Sequence, residues 1–186
     1  MEYDSGMATQ TLMTAEQFDR LPEEEGRRYE LLDGELIEVA SANPEHNGIE
    51  TCMLAELWPY LRRTGWGMAI PDTEFDLGLD KRLRPDIAVI RAERWSRMNR
   101  RAIPVKIVPD IAVEIVSPCE YAKELDGKVR AYLGAGVVEV WVIYPDGRHM
   151  FVHTSTEVRH STEQGRIESS LLPGWSMTLA DLFAAV

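Results

Sequence analysis

Residues 110–118 read DIAVEIVSP, a short apolar run held between Pro109 and Pro118. Its length and its β-branched residues predict a strand covered on both faces. Alternation along that strand puts Ile111, Val113 and Ile115 on one face, and Ala112, Glu114 and Val116 on the other. Glu114 is then a carboxylate inside an apolar strand. Burying it is costly unless it is paired or binds a cation. An ion pair with an arginine and a functional site both satisfy that requirement, because perturbed carboxylates occur in each.

Downstream, Tyr121, Leu125, Val129, Tyr132 and Leu133 mark one face of a helix that stops near Gly134-Ala135-Gly136. VEVWVIY (138–144) follows as another buried strand, closed by Pro145-Asp146-Gly147. A strand–helix–strand unit at the centre of the chain predicts an α/β or α+β domain. Lys128 falls about 60–70° off the centre of the helix's apolar face, on its rim. A snorkelling side chain and one that reaches toward Glu114 are equally open there.

Upstream, 66–79 and 82–91 read as two strands around a turn at 78–81. Asp86 follows Pro85 at the head of the apolar run IAVI, as a turn carboxylate or as a partner for Glu114. Two carboxylates on neighbouring strands suit one hard divalent ion, which prefers oxygen ligands and keeps several waters. The segment 92–104 reads as irregular and basic. Ile49, Met53, Leu57 and Leu61 predict a helix over 46–63, in which Pro59 predicts a kink or an early end. His46 stands at its start and reads as a cap-region residue. Thr14 and Gln17 have capping-box spacing ahead of a short helix, and Asp33-Gly34 marks a hairpin. Glu30, just before that turn, reads as an exposed strand carboxylate. Beyond Tyr144, two strands with a turn at Gln164-Gly165 and a short helix from Thr178 complete the chain. Residues 1–12 read as a leader and 13–186 as one domain, as a chain of 186 residues favours.

The net charge of −11 argues against nucleic acid when taken alone. Its distribution does not. Between Lys81 and Lys106, nine basic residues face only Asp86 and Glu93. Cys52 and Cys119 are too far apart in sequence for a zinc knuckle or a redox pair and read as reduced thiols. His149, His153 and His160 make no case for a metal site by their spacing. No Ser/His/Asp order, phosphate loop or dinucleotide fingerprint is present. No apolar run approaches the roughly 20 residues of a membrane span, and the first ten residues are polar and acidic, so a soluble cytoplasmic protein is expected.

Pro85-Asp86 heading one strand, with Glu114 inside a later one, resembles the PD-(D/E)XK nuclease superfamily. More closely, the chain resembles a large bacterial family of restriction-endonuclease-like proteins first catalogued as a domain of unknown function. The matching pieces are YELLDGEL (29–36), PEH (44–46), RPDIAVI (84–90), DIAVEIVSP (110–118), 128–146 and LPGW (172–175). The resemblance implies a mixed central sheet flanked by helices, with extra N- and C-terminal strands. It also implies a Mg²⁺ or Mn²⁺ site made by Asp86, Glu114 and the Ile115 carbonyl, with Glu30 as an accessory carboxylate. The superfamily pattern wants a lysine two residues after the acid, where this chain has Val116. Relatives often move that lysine to the next helix, which makes Lys128 the candidate, expected close to Asp86 and Glu114. The implied activity is metal-dependent phosphodiester hydrolysis, on DNA more than RNA, by a homodimer with no membrane partner. Arg84, Arg94, Arg97, Arg100, Arg101 and His46 are the candidate nucleic-acid contacts. An inactive nucleic-acid or protein interaction module on the same fold is the alternative.

Overall fold

The structure is a computed structural model that describes residues 12–22, 24–118 and 121–184. Cys119 and all but the last residue of the expected leader lie outside them. The short helix α1 (Ala15–Phe18) opens on the expected capping box, Thr14 and Gln17 each serving the other's backbone. Strands β1 (Arg28–Leu32) and β2 (Glu35–Val39) form the expected hairpin. Asp33 and Gly34 both take positive φ (52° and 84°), as that two-residue turn demands.

Helix α2 (Pro44–Thr64) does not stop at Pro59 but runs on to a left-handed Gly65. Ala55, which loses its helical donor to Pro59, is exposed, as is Pro59 itself, so water can solvate the carbonyl. Tyr60 and Leu61 beyond the proline are buried, and their packing carries the last turn.

Each of the two strands expected over 66–91 divides in two. They become β3 (Gly67–Pro71), β4 (Phe75–Asp76), β5 (Arg82–Leu83) and β6 (Ile87–Arg91). Breaks fall at Pro71-Asp72, where Asp72 has φ 43°, and at Pro85, so the halves join different sheets. After β6 the basic segment is not wholly irregular. It starts as the helix α3 (Ala92–Arg97).

The central strand is β7 (Ile111–Ile115), followed by α4 (Ala122–Ala135) and β8 (Glu139–Tyr144). Four short strands rather than two complete the chain: β9 (His149–His153), β10 (Val158–Thr162), β11 (Arg166–Glu168) and β12 (Ser176–Thr178), with α5 (Leu179–Phe183) last. One mixed sheet has the order β10-β9-β8-β7-β6-β3, in which β7 and β8 are parallel and joined through α4. A second has the order β2-β1-β5-β4, and β11 and β12 pair apart.

The two faces of β7 meet different neighbours. Ile111, Val113 and Ile115 pack with Ile49, Met53, Leu57 and Leu61 of α2 and with Leu179 and Leu182 of α5. Ala112, on the opposite face, packs among Leu125, Val129 and Tyr132 of α4 and Leu32 and Leu83 of the second sheet. Glu114 shares that second face. Helix α4 and strands β1 and β5 therefore close over the carboxylate.

Candidate active site

Strands β6 and β7 pair antiparallel, with Ile87 opposite Val113 and Ala88 opposite Ala112. Continuing that register by one residue sets Asp86 opposite Glu114. Both fall on the α4 face by alternation, together with Ala88 and Ala112. The Asp86 carboxylate accepts the Ile115 N–H at 2.5 Å through Oδ2. The N–H and C=O of one strand residue leave the same edge, so the Ile115 carbonyl points toward the Asp86 side as well. The neighbouring Val116 N–H faces the other way, onto Ile143 of β8.

Lys128 is buried rather than on a rim, its side chain 9% exposed. Its ammonium lies 3.2 Å from Glu114 Oε2 and 2.9 Å from Glu30 Oε2. The lysine thus meets Glu114 as expected, but its second acid is Glu30, not Asp86. Glu30 is buried too, contrary to the exposed position expected, because the last three residues of β1 turn into the space beneath α4. Its other oxygen accepts the Arg84 N–H at 2.6 Å. Glu114 therefore pairs with a lysine rather than with an arginine.

Two members of the cluster have other parts in the sequence reading, Tyr132 on an apolar helix face and His46 as a cap-region residue and candidate nucleic-acid contact. Tyr132 is fully buried, and its hydroxyl donates to Glu114 Oε1 at 2.6 Å. Burial first, and then the charges of Glu114 and Glu30, push this phenol well above its ordinary value, so it remains a donor. The signal for it was present: Tyr132 is four residues after Lys128, on the same helix face. His46 lies in the first turn of α2 and is buried against Asp86, with Nε2 3.1 Å from Oδ1. No periodicity announces that contact. A hollow of only about 10 Å³ lies beside it, bordered by Asn43, His46, Val116, Ser117 and Pro145.

The basic stretch divides. Arg82 is buried between Asp19 and Asp76 and serves the fold. Arg84 borders the site through its backbone, while its guanidinium reaches Glu74 at 3.3 Å. Burial raises the Glu74 carboxyl, and Arg84 opposes that rise. Arg94 and Arg97 lie on α3, and Arg100 and Arg101 follow it, beyond the far end of β6. Five residues of strand, roughly 16 Å, separate Asp86 from Arg91. The structure does not bring these four arginines to the carboxylates. Arg94 donates to the Val108 carbonyl, Arg97 pairs with Glu93, and Arg100 lies over Trp95.

Among the described residues, no group of three or more His, Cys, Asp and Glu side chains is arranged to hold a metal ion. The donors present fit a hard divalent cation in another way. Two carboxylates on adjacent strands and one strand carbonyl are oxygen ligands of the kind that Mg²⁺ or Mn²⁺ takes while retaining water. No helix among the described residues is long and apolar enough to cross a membrane.

Comparison with solved structures finds the same fold in "a putative nuclease belonging to DUF820 from Anabaena variabilis". The two share 22% identity at a TM-score of 0.80, over 93% of this chain and 98% of that one. No curated protein matches the chain. The sequence matches the Uma2 family, described as "Putative restriction endonuclease", over residues 15–180, which is most of its length. With the mixed sheet and the Pro85-Asp86 and Glu114 pattern in place, the chain belongs to the Uma2 family of restriction-endonuclease-like proteins.

Proposed function

We propose that this protein is a metal-dependent nuclease that hydrolyses phosphodiester bonds of DNA, with Asp86, Glu114 and the Ile115 carbonyl holding one Mg²⁺ or Mn²⁺. The observation that carries this reading is the Lys128 ammonium 3.2 Å from Glu114, supplied by α4 where β7 itself offers only Val116. When bound, the cation supplies Lewis-acid activation of water and stabilises charge on phosphorus.

The chain's own groups do the rest. Lys128 is held by two carboxylates at one edge of the acid pair, from which an ammonium can orient the attacking water and neutralise charge in the transition state. Glu30, fixed by the Arg84 N–H, keeps that ammonium in place. Arg84 and His46 border the site, where they can contact the nucleic acid. Arg94, Arg97, Arg100 and Arg101 contact phosphates farther along, where they add affinity but no chemistry. A homodimer would present two such sites to two strands, and closed twofold association is the commonest oligomer. Sedimentation at micromolar protein tests that last point.

The test of the activity is incubation with plasmid and with branched or single-stranded DNA, with and without Mg²⁺ or Mn²⁺. Cleavage that needs the metal and is lost in Asp86→Asn is the expected result. The engagement of Arg82, Arg91 and Arg97 with acids of the same chain favours the second reading, an inactive interaction module. That reading takes over if neither DNA nor RNA is cleaved with any divalent ion.

A further inference from the structure

Each acid of the pair has a side chain aimed at it from a helix that does not belong to the Asp, Glu and Lys of the nuclease pattern. His46 takes its place from the start of α2, where the Asn43 side chain accepts the His46 backbone N–H at 2.8 Å. This cap fixes the main chain from which the imidazole reaches Asp86. An ionised carboxylate only accepts hydrogen bonds, so Nε2 carries the proton in that contact. Since Oδ2 accepts from Ile115, both oxygens of Asp86 are oriented.

Tyr132 does the corresponding work on Glu114. Its hydroxyl takes Oε1 and leaves Oε2 to Lys128. Packing alone does not call for that oxygen, because a phenylalanine ring would fill the same space. A buried hydroxyl is costly without a partner, and the partner here is the acid.

We propose that His46 and Tyr132 are positioning residues, which hold Asp86 and Glu114 in the orientation that accepts a divalent cation. The inference rests on the metal-dependent reading above. Side chains that hydrogen-bond to metal-ligating groups orient them, and losing one such partner typically weakens metal binding 10–100-fold.

The test is titration of Mn²⁺ into the full chain, followed by loss of the free-ion electron paramagnetic resonance signal, with the melting temperature of each variant as the control for folding. Wild type binds, and Asp86→Asn does not. Tyr132→Phe and His46→Leu are expected to bind about 10–100-fold more weakly while melting close to wild type. His46→Gln, whose amide N–H reaches from nearly the position of Nε2, recovers most of the affinity. If His46→Leu does not fold, His46→Asn, too short to reach Asp86, replaces it. Lower melting with unchanged Mn²⁺ affinity in Tyr132→Phe and the His46 variants overturns this proposal alone. No binding by wild type, or equal binding by Asp86→Asn, overturns the metal reading and this proposal with it.

Discussion

Strands β6, β7 and β8 carry buried acids at both ends, and the two ends satisfy them differently. At the end near α3, Asp110 accepts the Arg91 N–H at 2.9 Å and the Arg91 guanidinium at 3.0 Å. Glu139, at the same end of β8, accepts from Trp141 Nε1 and from both the N–H and the hydroxyl of Ser170. Arg94 and Arg159 stand within 4 Å of these two acids. At the other end, Glu30, Asp86 and Glu114 gather around one ammonium, one phenol and one imidazole. The first arrangement locks strands together. The second clusters like charge, an arrangement that lowers stability and is kept where a cation or a reaction requires it.

The largest difference between the two ends is expected in catalysis. Lys128→Met should lower single-turnover DNA cleavage by roughly 10²–10⁴-fold, the range for removing a positioned proton-transfer or charge-stabilising group. Metal affinity should stay the same or tighten, because a competing cation has gone. A variant that cleaves as fast as wild type breaks the assignment of the lysine.

The next effect is on stability and belongs to the other end. Glu139→Leu leaves the buried Trp141 indole N–H unpaired and removes the acceptor that ties Ser170 to β8, and should lower unfolding free energy by about 2 kcal/mol, read by urea denaturation. Asp86→Asn and Glu114→Gln should stay within about 1 kcal/mol of wild type or gain stability, because each removes one of three clustered charges. A large loss in Glu114→Gln would make Glu114 a structural acid like Glu139 and erase the contrast.

The smallest effect lies at His153 on β9, opposite Val140 of β8, where burial lowers the imidazole pKa. A histidine with a folded value below its unfolded one gives full stability above the ordinary value near 6.5, and that stability falls as pH drops through it. Melting temperature between pH 7 and pH 5 should therefore fall more steeply in wild type than in His153→Gln. Equal slopes would contradict it.

Local signals in the sequence carried most of this fold. The Thr14 cap, the Asp33-Gly34 turn and the buried run at 111–115 each depend on neighbours within a few residues. The divided strands did not show, because the sheet each half joins is decided by partners far away in sequence. The site followed the same division. The pairing of Glu114 with Lys128 was legible from a motif and one helix face. The burial of Glu30 was not, since it depends on β1 docking beneath α4. His46 and Tyr132 were both in plain view as residue types. What hid them is that an imidazole at a helix start and a tyrosine on an apolar face look the same whether or not an acid from another strand meets them.

The most direct test of the contrast is the shift in melting temperature on adding Mn²⁺ to wild type, Asp86→Asn and Glu139→Leu. A ligand at about 100 times its Kd stabilises the folded state by about 2.7 kcal/mol, which for a chain of this size is roughly 5–10 °C. The account predicts that rise in wild type, the same rise from a lower baseline in Glu139→Leu, and none in Asp86→Asn. No rise in wild type, or an equal rise in Asp86→Asn, would contradict it.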